Sequence, residues 1–359
     1  MTETQDKAQK RFESTGQWYD SKDTTLEHLY RSTAKADPKI ANAANFFGIN
    51  YYKSGQYVAK PHVGYGHIFF TRPRLNLTHD NLKRNRQFLM MVNSDTGSVL
   101  NIIRNYLDPV LANNPKNKMR SPLVDPRNPF ISVLTNQCLT ASGWPEVPID
   151  SYTSKAGKAG EVYSLADGHP THYGPYTINC NFENLKHDFV NLLFHYWTQY
   201  AMHTHAGRFM PYKDDWLLNR INYNTRIYRL LTDPSGMYIV DWACTGASFP
   251  INSNKAGIYD YDRFEQHVQS LGESSIQFQC NGMWMMDPIV LRSFNETMLM
   301  YNPSLAPAVR KERWVELTED IRPFFNHLAL PYIDLKSAKL CWYVETPTYR
   351  DELKILERK

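Results

Sequence analysis

The chain has 359 residues, of which 42% are apolar and 13% aromatic, and its formal net charge is +4. This is the composition of a folded protein with a substantial core, and it excludes a predominantly disordered chain. So small a charge over such a length gives no ground for a nucleic-acid track or an anionic-membrane surface.

The amino-terminal stretch MTETQDKAQKRFESTGQWYD has no apolar central region, so no secretory leader is expected and synthesis in the cytoplasm is. No segment approaches the roughly 20 apolar residues needed to span a bilayer. Five cysteines, at 138, 180, 244, 280 and 341, lack any CxxC pair. They are expected to be reduced and mostly buried. The basic clusters Lys83-Arg84-Arg86 and Arg310-Lys311-Arg313 are interleaved with polar residues and read as solvated helix faces.

Residues 1–45 are polar, with apolar residues only thinly spread, and are expected to form an arm. From about residue 46 the texture becomes that of one α+β structural domain reaching 359, with a division into two subdomains left open. Its sheet elements should be mostly antiparallel and its helices amphipathic. In "PHVGYGHIFFTRPRLNL", residues 61–77, the glycines Gly64 and Gly66 come before the apolar run Ile68-Phe69-Phe70. A dinucleotide fingerprint needs the opposite order, strand, then glycines, then helix. The stretch therefore reads as entry into a strand that buries Ile68-Phe69-Phe70, with Pro73 marking an edge or bulge.

Spacing of Val99, Ile102, Ile103, Tyr106, Leu107 and Val110 predicts a helix over 97–112, capped by Asp95-Thr96. Residues 113–129 and 145–176 are rich in Pro, Gly, Ser, Lys and Asp and are expected to be long loops. Loops of that length are often functional or meet a partner. Over 183–203, Leu185, Phe189, Leu192, Leu193, Tyr196, Trp197 and Tyr200 form one continuous helical stripe. The segments 228–232 and 237–241 flank Asp233-Pro234-Ser235-Gly236, which predicts a hairpin on a type I turn. Residues 275–280 read as a strand. Asp287-Pro288 starts a helix that Asn302-Pro303 stops, and a further helix is expected over 308–320.

Signals for chemistry are weak throughout. Gly246-Ala247-Ser248-Phe249-Pro250 lacks the second glycine of a nucleophile elbow, and Cys244 sits in no cysteine-protease signature. The adjacent acids Asp214-Asp215 and Glu319-Asp320 point in different directions as sequence neighbours. The row His187, Asn191, His195, Gln199, His203 wraps around its helix by about 40° per step and cannot share one ion. His169, His172, His203 and His205 could assemble a zinc site, although no H-E-x-x-H spacing supports it. No catalytic, cofactor-binding or metal-ligating residue is therefore assigned, and no cofactor is expected.

The stretch 61–77, together with "YRLLTDPSGMYIVDWACTGASFPINSN" at 228–254 and "QFQCNGMWMMDPIVLRSFNETM" at 277–298, resembles segments of virion structural proteins from large contractile-tailed bacteriophages. The resemblance covers scattered blocks of the middle two-thirds of the chain; residues 1–45 and 145–176 have no counterpart. It implies a non-enzymatic virion component of the tail or baseplate. Such a component would act by assembly with other virion proteins in a multi-copy symmetric array, with no nucleic-acid or membrane partner. A wealth of tyrosine and tryptophan, the arm and the long loops suit a subunit that buries surface on neighbours. The alternatives are a phage neck or connector protein, a metal-dependent hydrolase using the four histidines, and a cytoplasmic binding factor made during infection.

Overall fold

The computed structural model describes residues 65–92, 95–146, 149–170, 174–259, 263, 272–318, 320–325 and 328–357. The expected arm over 1–45 lies outside them. The described chain combines an antiparallel six-stranded sheet with helices, as the α+β reading requires.

Strand β1 (Gly66–Phe70) opens the sheet and lies at its edge, where Pro73 pointed. It buries Ile68, Phe69 and Phe70 as expected. Gly66 has another use than turning the chain: a Cβ there would fall inside the Arg229 guanidinium. Strands β6 (Ile227–Thr232) and β7 (Ile239–Pro250) form the expected hairpin, with Gly236 at φ +72° closing the turn. Beyond them lie β8 (Glu273–Met285), β5 (Pro175–Glu183) and β2 (Cys138–Ser142), each paired antiparallel with its neighbour.

Helix α5 (Phe189–His205) buries Phe189, Leu193, Tyr196, Trp197 and Tyr200 of the predicted stripe, while Leu192 is half-buried and Leu185 precedes the helix. Its Phe194 ring centroid lies 5.4 Å from Phe182 on β5 and 5.7 Å from Phe278 on β8, and Phe70 on β1 is 5.6 Å from both. That ring cluster is the centre of the larger core. The helix starts later than 183, because His187 and Asp188 take left-handed φ values of 66° and 56°.

The expected helix over 97–112 is two helices, α2 (Val99–Leu107) and α3 (Pro109–Asn113). Pro109 cannot donate into the first helix, and Asp108 caps the second by accepting from Leu111 N. Ser98, rather than Asp95-Thr96, caps α2. Helix α7 (Pro288–Tyr301) begins on Asp287 and ends at Asn302 as the sequence predicts. Its Phe294 packs edge-on to Phe69 at 5.2 Å, in a second core on the other face of β1 and β6.

The helix expected over 308–320 is only α8 (Pro307–Arg313), after which the chain turns into β9 (Trp314–Glu316). With β10 (Leu330–Asp334) and β11 (Lys339–Glu345), β9 makes a three-stranded sheet that closes the second core. Residues 145–176 are no structureless loop. They hold a two-stranded hairpin, β3 (Ile149–Thr153) with β4 (Ser164–Pro170), and the start of β5.

Candidate functional site

Alternation along β5 and β8 divides the sheet into unlike faces. Ile178, Cys180, Phe182, Ile276, Phe278 and Cys280 face α5 and are fully buried. The residues between them face the other way in directly opposed pairs: Thr177 with Gln279, Asn179 with Gln277, Asn181 with Ser275. Edge strand β2 adds Thr140 opposite Asn181 and Ser142 opposite Asn179, both exposed. Asn281 continues the row toward Ala247 of β7. These positions carry amides and hydroxyls and no charge; acids enter only at one end, where Glu183 opposes Glu273. Solvated surfaces are ordinarily about one-quarter to one-third charged residues, so an uncharged polar sheet face is a specific feature.

The β3–β4 hairpin pairs with neither of the other sheets. Its Tyr152, Val162, Tyr163 and Leu165 are 54–64% exposed, and Tyr152 stands opposite Leu165. An isolated two-stranded hairpin is marginal in water, and apolar residues displayed on one call for a covering surface.

A cavity of about 870 Å³ lies between residues 120–136 and 328–342. Arg127 reaches into it but is already engaged by Asp125 at 3.2 Å and by Glu345. Its remaining lining is largely proline, aromatic, amide and hydroxyl, with no histidine or cysteine. It offers no acid–base pair.

The candidates for chemistry do not converge. His172 lies outside the described residues, and His169 belongs to β4. His203 Nε2 is 2.7 Å from Gln87 Oε1, while His205 Nε2 is 2.9 Å from the Tyr223 hydroxyl. Both rings are thus spent on different neighbours, and no group of three metal-ligating residues occurs among the described residues. Burial pushes the Cys244 thiol up to about 12, away from any thiolate role. Ser248 is fully buried and donates to Thr245 Oγ1 at 2.8 Å. Asp215 is buried against Arg74 at 3.2 Å, apart from its exposed neighbour Asp214. All five cysteines are free, and all but Cys138 are buried. No helix among the described residues is long and apolar enough to cross a membrane.

The uncharged face was not anticipated, since 145–176 read as loop and 183 as the start of a helix. Its signal is nonetheless present: "TINCNF" at 177–182 alternates strictly, as does "SIQFQCN" at 275–281.

Among solved structures, the chain is similar to the cap that terminates the anti-feeding prophage tube, at 11% identity over 42% of this chain and 79% of that one, with a TM-score of 0.24. It is likewise similar to the sheath/tube terminator of the extracellular contractile injection system PVC in its extended state, at 11% identity, 42% and 85% coverage and a TM-score of 0.23. The PVC sheath-tube complex matches at 13% identity, 41% and 78% coverage and a TM-score of 0.23. No curated protein matches the sequence. The model of a protein family described as "Putative phage tail tube protein" matches residues 20–358, nearly the whole chain. The chain belongs to this phage tail tube family, and is a structural protein of the phage tail.

Proposed function

We propose that copies of this chain pack side by side to build the wall of the tail tube, with the uncharged face of strands β2, β5 and β8 turned to the channel. The observation that carries this reading is the set of opposed polar pairs, Asn179 with Gln277 and Asn181 with Ser275, on strands whose reverse buries Ile178, Cys180, Phe182, Ile276, Phe278 and Cys280. A channel wall must stay wetted along its length without binding what passes. Amides and hydroxyls provide hydration without a fixed field, whereas rows of lysine or glutamate would attract or repel ions over about 8–10 Å.

The β3–β4 hairpin is the element that reaches a neighbouring copy, in keeping with its exposed Tyr152, Tyr163 and Leu165. The work is then protein–protein assembly in the virion, without catalysis. Within the tail, the family description favours the tube over the baseplate or neck. A contractile tail is supported by the sequence resemblance of 61–77, 228–254 and 277–298.

Electron microscopy of the purified protein, with mass spectrometry of purified particles, tests the reading. Rings or tubes and a high copy number in the particle are expected. Absence from the particle overturns it.

A further inference from the structure

One segment outside the sheet displays apolar side chains on a firm base. Around the short helix α6 (Lys213–Leu217), Met210, Trp216, Leu217, Leu218 and Ile221 are 57–70% exposed. The segment beneath them is held by polar contacts, most of them partly buried. The Tyr212 hydroxyl donates to Asp108, 2.8 Å from each carboxylate oxygen. Asp215 is 2% exposed and pairs with Arg74, and the Met210 carbonyl accepts from both Asn76 and Asn81 at 2.9 and 2.8 Å. Arg220 N closes the turn onto the Asp215 carbonyl at 2.8 Å. A loop free to collapse would tuck a tryptophan inward; here the backbone is pinned and the tryptophan is presented.

We propose that this platform is the seat for a second copy of the same chain, taking the β3–β4 hairpin of that copy against Trp216. The proposal rests on the tube reading above and adds where the copies meet. Size argues for a protein partner. At 57–70% exposure these side chains present on the order of 600 Å² of apolar area, comparable to the apolar share of the roughly 800 Å² that each partner gives to a standard interface.

Chemistry argues for a copy of this chain. The platform's charged neighbours Lys213, Asp214 and Arg220 are of mixed sign and offer no track for an anionic polymer. A counter-surface of matching character, Tyr152, Val162, Tyr163 and Leu165, is carried by the same chain on another element. Two different surfaces that meet head to tail form a heterologous contact, which propagates into rings or filaments; a self-complementary patch would stop at a dimer. An exposed, well-supported tryptophan is also the residue type that anchors interfaces most often.

The test is a complementation experiment on the full chain. W216E destroys the platform and leaves the hairpin; a Y163E/L165E double variant does the reverse. Each alone should sediment as a monomer where the unmodified chain forms rings or longer assemblies, with melting temperatures unchanged. Mixed one to one, they retain a single good contact and should give heterodimers and nothing larger. Assembly of W216E indistinguishable from the unmodified chain overturns the proposal while leaving the tube reading intact. Two monomeric variants that fail to form heterodimers overturn the pairing with the hairpin. A W216E variant that melts well below the unmodified chain would show Trp216 to be buried within its own subunit, and overturns the seat. An unmodified chain that stays monomeric at every concentration tested counts against both the seat and the tube reading.

Discussion

The Tyr212 hydroxyl donates to the Asp108 carboxylate with 2.8 Å to each oxygen, in a site where Asp108 has no exposed surface. The same carboxylate accepts from Leu77 N and Leu111 N, both at 2.9 Å. It thereby joins the segment after β1, the cap of α3 and the platform around α6. Burial pushes the Asp108 carboxyl up to about 6, with the hydrogen bonds from Leu111, Tyr212 and Leu77 and the nearby Arg104 pulling the other way.

A carboxyl whose pKa is higher folded than unfolded binds its proton more tightly in the native state. Its contribution to stability is therefore complete below the unfolded value of about 4 and is lost as pH rises through about 6. The displacement corresponds to about 3 kcal/mol at most. Urea unfolding at pH 4.5 and pH 7.5 should show the unmodified chain gaining on acidification relative to Asp108→Asn, which lacks the group. The variant itself should cost about 1–3 kcal/mol at pH 7.5, because its amide N–H₂ meets backbone donors. Parallel pH profiles for the two proteins would refute the assignment.

Two glycines of the sheet should respond unequally to alanine. At Gly246 a Cβ would meet the Asn281 carbonyl oxygen at 2.6 Å, and that oxygen is fixed by the β7–β8 ladder. At Gly66 the obstacle is the end of the Arg229 side chain, which can swing away. Gly246→Ala should cost about 2–3 kcal/mol and Gly66→Ala about 1 kcal/mol or less. Denaturant midpoints of the two variants decide the order.

Neighbours on β8 separate the two faces. Phe278 is fully buried among Phe70, Phe194 and Trp197, whereas Gln277 is exposed beside Asn179. Phe278→Ala should lose about 3–5 kcal/mol. Gln277→Ala should stay within about 0.5 kcal/mol in the isolated subunit. A large loss at Gln277 would mean that this face is covered within the chain and cannot line a channel.

Removal of metal should change nothing. His203 and His205 are held by Gln87 and Tyr223 rather than by each other. Dialysis against a chelator is expected to leave the melting temperature unchanged, and elemental analysis should find zinc well below one per chain. Stoichiometric zinc that is lost in His203→Ala/His205→Ala would revive the hydrolase alternative.

Much of the architecture is legible where periodicity runs long. The stripe from Phe189 to Tyr200, the Asp233–Gly236 turn and the Asp287 cap each combine a local signal with a matching burial demand. Expectation and structure part where one residue overrides a pattern. Pro109 splits a helix whose apolar spacing continues through it, and left-handed His187 and Asp188 delay the start of α5. Strands β10 and β11 have no exposed residue, so they show little of the alternation that marks a half-exposed strand. The β3–β4 hairpin hides in turn-forming composition because its few apolar residues face outward. For the uncharged face the letters were readable, but its meaning depended on which strands lie side by side, and only the sheet order β7-β8-β5-β2 shows that.

The distribution of free thiols turns the molecule into its own reporter. Cys180, Cys244, Cys280 and Cys341 are shut inside the two cores, and Cys138 alone is partly open on the outermost strand. A maleimide should label the native subunit once at most and the denatured subunit five times, so the mass increment counts how far a given molecule has opened. Loss of that single native label on polymerisation would place the β2 edge inside a joint.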